Sequence, residues 1–215
     1  MTTGNTRVFI VDDHPILIKG VKFLIENEKD FVVCGAAQSV QDALQQIDLV
    51  SPHVMLIDIS LGGECGLRLT ENLSQRHPYL PILIFSMHEE ALYAERAILA
   101  GANGYINKNS DPKELISAMR KVLSGKIYIN DRVNTYLINK LRRKNFKDEN
   151  PLSLLNNREL EVFHLIGKGL TSRAIAKQLN ISLSTIHSHK TNIKSKLNLN
   201  NSNELTCYAA QNSLS

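Results

Sequence analysis

Through the first half of the chain, short apolar runs alternate with longer segments whose apolar residues recur every three or four positions. Arg7–Val11 runs into Asp12 and Asp13, Val54–Ile57 into Asp58, Ile82–Phe85 into Ser86, and Tyr105–Asn107 into Lys108. Short apolar runs closed by polar residues read as strands, and three-and-four spacing reads as helix. The pattern predicts strands near residues 7–12, 31–37, 54–58, 81–86 and 104–107, and helices near 15–28, 39–49, 66–76, 89–101 and 111–124. This alternation predicts an α/β doubly wound, five-stranded parallel sheet of flavodoxin-like type. The fifth helix is punctuated at both ends: Asp111 as N-cap, Pro112 in the first turn, Glu114 near the positive dipole end, and Gly125 as the stop.

After Gly125 the pattern changes. Val133, Leu137, Ile138 and Leu141 keep a helical spacing that allows a linker helix. Arg142 to Pro151 is polar and basic, read as a solvated tether, with direct phosphate contact as the alternative. From residue 155 onward everything reads as helix. Asn156 and Glu159 pattern as a capping box, and Leu160, Val162, Phe163, Leu165 and Ile166 form a broad apolar face. Thr171 or Ser172 opens a short helix, and Asn180-Ile181-Ser182 joins it to a longer one. That succession predicts an all-α, four-helix helix-turn-helix domain. The chain therefore divides into a first domain at 1–125, a linker at 126–151 and a second domain at 152–215.

Hydrophobic residues make up 43% of the 215, enough for a core. No apolar run approaches the ~18 residues of a membrane span, and the first residues lack a signal-peptide pattern. Cys34, Cys65 and Cys207 fit neither a disulfide framework nor a zinc site, and Cys34 reads as a small buried hydrophobe. A cytoplasmic protein with no membrane partner is expected. Charge divides the chain more sharply. Residues 1–124 hold 11 Lys and Arg against 15 Asp and Glu, whereas residues 125–215 hold 14 against 6. An acidic metal or phosphate domain joined to a module for a polyanion would show this asymmetry.

The candidate chemistry lies at the strand ends. A parallel sheet gathers its strand C-termini on one edge, where open α/β folds place their sites. Asp12, Asp13, Asp58, Ser86 and Lys108 should converge there. Three gathered carboxylates repel unless a cation joins them, and hard oxygen ligands suit Mg²⁺. Such a site is suited to taking a phosphoryl group onto a carboxylate. Singly, each residue has a plainer reading. Asp12-Asp13 would be a solvated turn, Ser86 a helix cap, Tyr105 core packing and His14-Pro15 a helix start; in register they point to one site.

On these five positions, Arg7 to Gly125 resembles a bacterial response-regulator receiver domain. The resemblance implies that Asp58 is the phosphoacceptor and that Asp12, Asp13, Asp58 and the carbonyl of Ser60 hold Mg²⁺. It implies that Lys108 pairs with phosphoryl oxygens, that Ser86 moves to bond the phosphoryl group, and that Tyr105 follows it. The donor would be a sensor histidine kinase or a small acyl phosphate. Gly62 stands where most receivers have proline, and with Gly63 it is expected to loosen the loop after Asp58. Asn109 follows Lys108 where many receivers have proline. Met87 and His88, beside the site, are candidates for tuning water access to an acyl phosphate.

Asn156 to Leu205 resembles the LuxR-type helix-turn-helix of the NarL/FixJ class. The matching residues include Arg158-Glu159-Leu160-Glu161-Val162, Ile166-Gly167-Lys168-Gly169, Ile175-Ala176 and Leu179-Asn180-Ile181-Ser182. On the helix near 183–197, Ile186, Ile193 and Leu197 define a buried side. Ser184, His187, Ser188 and Thr191 fall opposite, edged by Lys190 and Lys194. Arg173 and Lys177 could add backbone contacts, while His189 sits at the buried edge. The resemblance implies that His187, Ser188 and Thr191 face bases, that Lys190 contacts phosphate, and that the last helix pairs two such domains. His187 stands where the family commonly has lysine. The expected whole is a two-domain transcription regulator, not an enzyme, which binds double-stranded DNA as a homodimer under control of phosphorylation. Two other readings fit the sequence less well. An aspartate-nucleophile Mg²⁺ phosphatase typically needs Asp-x-Asp after the first strand, where this chain has Asp12-Asp13-His14. An interaction protein needs neither the acidic set nor a complete helix-turn-helix.

Overall fold

The computed structural model describes residues 4–62, 64–88, 90–142 and 151–212. They fall into two compact units, Met1–Arg143 and Lys144–Ser215. The first is built on five parallel strands, β1 (Thr6–Val11), β2 (Phe31–Ala37), β3 (Val54–Ile57), β4 (Ile82–Ser86) and β5 (Gly104–Asn107). Their order is β2-β1-β3-β4-β5. Between them run α1 (Pro15–Glu26), α2 (Val40–Val50), α3 (Gly66–Arg76) and α4 (Glu90–Leu99), and α5 (Pro112–Leu123) follows β5. Both sheet faces are covered, so β3 is apolar and buried at every position. The register pairs Val11 with Ile57, Ile57 with Ile84 and Ser86 with Asn107, which aligns the strand ends on one edge.

Local chemistry sets the helix ends. Ser39 caps α2 by accepting from the Asp42 amide, and Asp111 caps α5 by accepting from the Lys113 amide. α4 stops short of the expected residue 101, where Gly101 turns the chain at φ +97°. After β3 the backbone is tightly set. A two-residue antiparallel ladder pairs Ser60–Leu61 with Glu64–Cys65. Gly62 lies at φ +56° and donates its amide to Asp13 Oδ2 at 2.9 Å. Proline could neither adopt that angle nor make that bond. The expected loosening is thus not seen at Gly62; Gly63 lies outside the described residues. At Gly66 a Cβ would stand 1.8 Å from the carbonyl oxygen of Asp58.

The first unit continues past Gly125. Tyr128 bridges Gly104 in parallel, accepting from the Tyr105 amide at 2.8 Å and donating to Asn103 at 2.9 Å. It adds one residue of a sixth strand to the β5 edge. Then α6 (Asp131–Arg142) packs against α4 with Val133 buried. The basic stretch expected to be a tether lies, from residue 143 to 150, outside the described residues.

The second unit opens with a 3₁₀ turn, Pro151–Leu154, followed by α7 (Asn157–Gly167), α8 (Ser172–Gln178), α9 (Leu183–Lys196) and α10 (Ser202–Asn212). The Asn156–Glu159 capping box forms, with bonds of 2.8 and 2.9 Å. Thr171 caps α8 and Ser182 caps α9. Leu160, Phe163, Ile175, Ile186, Ile193 and Leu205 meet in the core. Leu197 is only half-buried, because it is the C-cap residue rather than part of the helix.

Gly66→Ala should cost at least ~2 kcal/mol of stability, since its methyl group would collide with backbone rather than with a side chain that can turn away. A urea melt of the full chain reads this in the transition of the first unit. An unshifted midpoint would show that the loop after Asp58 can give way.

Candidate functional site

The ends of β1, β3 and β5 bring Asp12, Asp58 and Lys108 into contact. Lys108 Nζ lies 2.6 Å from Asp12 Oδ2 and 2.7 Å from Asp58 Oδ2, with all three side chains buried. The Ile59 amide donates to Asp58 Oδ1 at 2.7 Å, which fixes the carboxylate plane. Asp13 Oδ2 is held by Gly62, and its Oδ1 lies 2.7 Å from Nδ1 of the exposed His14 ring. Ser86, at the end of β4, is buried. Ser60 is half-buried, and its hydroxyl lies 2.9 Å from His88 Nε2.

Two histidines stand beside this set, His14, expected only to start a helix, and His88, expected to tune water access to the site. His14 Nδ1 is 2.7 Å from Asp13 Oδ1 and 3.2 Å from Asp12 Oδ1. Asp12, Asp13, His14 and Asp58 each offer one ligand atom, all within 4.8 Å of one another. His88 stacks on Tyr93 at 4.6 Å, and its carbonyl accepts from the Tyr105 hydroxyl at 2.8 Å and the Asn107 amide at 2.9 Å. Tyr105 is fully buried. The sequence signal for each was its nearness to a site residue, His14 beside Asp13 and His88 two residues after Ser86.

The electrostatics call for a cation. Burial pushes the Asp58 carboxyl above the usual carboxylate range, against the pull of Lys108; the nearby charge of Asp12 adds to the rise and the Ser86 hydroxyl opposes it. Three carboxylates and one ammonium sum to −2, the charge that one divalent ion neutralises. The all-oxygen character of the three gathered acids fits Mg²⁺, a hard cation that keeps several waters.

On α9, Ile186 and Ile193 are buried, while Ser184, His187, Ser188 and Thr191 are exposed on the other side. Ser188 and Thr191 donate their hydroxyls to the carbonyls of Ser184 and His187, at 3.2 and 3.0 Å, leaving oxygen lone pairs free to accept. Lys190 and Lys194 are half-buried at the margin, and Lys190 Nζ reaches Ser172 Oγ at 3.3 Å. Arg173 and Lys177 are exposed on α8. Other cations are committed to structure. Lys196 pairs with buried Glu159 at 2.6 Å, and Arg158 binds both Glu161 and the carbonyl of Leu179. Burial lowers the affinity of His189 for a proton, and Arg158 adds to this, which favours a neutral ring.

Comparison with known proteins matches both units. Residues 8–120 fit the response regulator receiver domain, and residues 153–209 fit the luxR family of bacterial regulatory proteins. The oxygen regulatory protein NreC of Staphylococcus epidermidis is 35% identical over 214 residues, covering 97% of this chain and 98% of that one. RcsB from Salmonella enterica serovar Typhimurium, bound to promoter rprA in the presence of the phosphomimetic BeF3⁻, is 25% identical. That match covers 96% of this chain and 99% of that one, with a TM-score of 0.62. A structure of two RcsB dimers on two parallel DNAs is 26% identical, covering 99% and 100%, with a TM-score of 0.58. Among the described residues no helix is long and apolar enough to cross a membrane.

A carboxyl whose folded pKa is raised binds its proton more tightly in the folded than in the unfolded state, so it removes stability as pH climbs through the raised value. Asp58→Asn deletes that penalised charge. Without Mg²⁺ at pH 8 it should melt roughly 2–4 °C above the parent. Mg²⁺ should raise the parent's melting temperature more at pH 8 than at pH 5. Melting that ignores Mg²⁺ at both pH values would remove the cation from this account.

Proposed function

Because the chain belongs to the response regulators that join a receiver domain to a LuxR-type DNA-binding domain, a family of transcription regulators, we propose that Asp58 accepts a phosphoryl group and thereby controls DNA binding. The observation that carries this reading is the buried Asp12–Lys108–Asp58 cluster, with Ser86 at the same sheet edge. Asp12, Asp13, Asp58 and the Ser60 carbonyl are the proposed holders of Mg²⁺, which supplies charge neutralisation on the incoming phosphoryl oxygens. With Oδ1 fixed by Ile59, Asp58 Oδ2 is placed to attack phosphorus, and the bond to the donor's nitrogen or acyl oxygen breaks. Lys108 then shifts from carboxylate to phosphoryl oxygen, and Ser86 bonds another. Positioning and charge carry the reaction. The donor is a sensor histidine kinase or a small acyl phosphate. A groove of about 370 Å³ between α1 and α5, lined by Val21, Phe23, Leu24, Phe85, Met87 and Leu115, opens beside Lys108 and offers a kinase a landing surface.

DNA binding falls to α9. His187, Ser188 and Thr191 face base edges, with Ser184 beside them, and Lys190 and Lys194 meet phosphates. The RcsB dimers on DNA support a homodimer across paired half-sites about one helical turn apart, with α10 as the pairing helix.

Acetyl phosphate with Mg²⁺ should add one phosphate by intact mass to the parent and to Ser86→Ala, and none to Asp58→Asn. Equal labelling of Asp58→Asn would sink the assignment. In DNA titrations, His187→Ala and Thr191→Ala should each lose roughly 1 kcal/mol of discrimination between cognate and scrambled duplexes. Lys190→Ala should weaken both duplexes alike and flatten the salt dependence by about one unit of slope. The reverse pattern would exchange the roles of reader and phosphate contact.

A further inference from the structure

The segment after α5 leaves the sheet as a docked element. Tyr128 ties it to β5 through the Tyr105 amide and the Asn103 carbonyl. Two residues on, the Asn130 amide donates to Glu90 Oε1 at 2.9 Å, and the Asn130 side chain starts α6 by accepting from Val133 at 2.8 Å. Val133 is buried and α6 packs on α4. Burial pushes the Glu90 carboxyl above its usual range, and the Asn130 bond opposes this, so the contact is part of what keeps a partly buried carboxylate ionised. A Cβ at Gly104 would meet the Tyr128 carbonyl at 2.8 Å; only glycine lets the segment lie this close.

The same corner of the fold carries the switch loop. The His88 amide reaches Ser86 Oγ at 3.4 Å, and Glu90 opens α4 two residues later. Tyr105 touches both systems, its hydroxyl on the His88 carbonyl and its amide on the Tyr128 carbonyl. A change at Ser86 therefore reaches Glu90 along the chain and Tyr128 through Tyr105.

We propose that residues 128–138 form a strap on the α4–β5 edge, released when a phosphoryl group on Asp58 draws the Ser86 hydroxyl away from the His88 amide, and that this release is the signal passed along the chain to the DNA-binding domain. This rests on the phosphoacceptor reading of Asp58. Loss of the Ser86 contact removes one anchor of the His88 turn, and its remaining bonds to Ser60, Tyr105 and Asn107 carry the displacement to Tyr105 and on to Glu90. Once Glu90 shifts, the Asn130 amide loses its acceptor and the two Tyr128 bonds open with it. Two backbone hydrogen bonds and one from the Asn130 amide to the Glu90 carboxylate are a small barrier, within reach of an allosteric coupling of ordinary size.

Amide hydrogen exchange of the full chain, followed by NMR with and without acetyl phosphate and Mg²⁺, tests the release. Phosphate incorporation is read by intact mass on the same sample. Exchange at Tyr128 and Asn130 should quicken at least ~5-fold on labelling, while β1 and β3 stay protected. Labelled protein with unchanged protection at both amides overturns the strap. Absence of label overturns the phosphoacceptor reading and the strap with it. Glu90→Ala removes the acceptor without touching the phosphoryl site. It should quicken exchange at Asn130 in unlabelled protein and move its DNA affinity at least ~5-fold toward the phosphorylated value. Faster exchange with unchanged DNA affinity shows a strap that carries no signal, and overturns the proposal.

Discussion

Lys108 Nζ holds two carboxylates, Asp12 and Asp58, that lie 96 and 50 residues away in the chain, and it does so out of contact with water. An ammonium with two carboxylates is overcompensated, and Asp13 adds a third negative charge nearby. Burial therefore destabilises the ionised form of Asp58, and the pocket as a whole is left wanting positive charge. By the proposed function, a divalent cation would restore the balance, and an incoming phosphoryl group would disturb it again through Lys108 and Ser86.

The geometry around this centre is stiff where reaction needs it. The Ile59 amide fixes one oxygen of Asp58, Gly62 fixes one oxygen of Asp13, and Gly66 lets the backbone pass against the Asp58 carbonyl. Two glycines, one for its angle and one for its missing Cβ, give the loop a single path. On the other side the loop carrying His88 is joined by hydrogen bonds to Ser60, Tyr105 and Asn107. Stored electrostatic cost sits beside this frame, and the proposed strap along α4 and β5 lies next to it.

On α9 the packing face and the proposed recognition face are separate. The buried stripe, Ile186 and Ile193, anchors α9, while Lys196 is tied to Glu159 at the other end of the core. The exposed face is left to short polar side chains whose hydroxyls already bond the helix backbone, so they keep acceptor lone pairs outward at little cost in side-chain freedom.

The alternation of β1 to β5 with their helices was legible because period-two and period-3.6 patterns are local, and so were the caps at Asp111 and Asn156; the cap at Thr171 was left between it and Ser172, and Ser182 was read only as part of the connector. The gathering of Asp12, Asp13, Asp58, Ser86 and Lys108 on one edge followed from a single rule of parallel sheets. The rest was settled between residues far apart in sequence. Strand order depends on which crossover packs on which face. The rings of His14 and His88 take their places from loop paths and rotamers that no spacing encodes. Leu197 had the apolar spacing of a buried position, yet it is half-buried because α9 ends one residue before it. Tyr128 and Asn130 looked like the start of a linker. They are fastened to the first unit by Asn103, Tyr105 and a carboxylate 40 residues upstream, and a contact of that range is decided by tertiary packing, since nothing in the local pattern distinguishes a segment that will find a partner from one that will not.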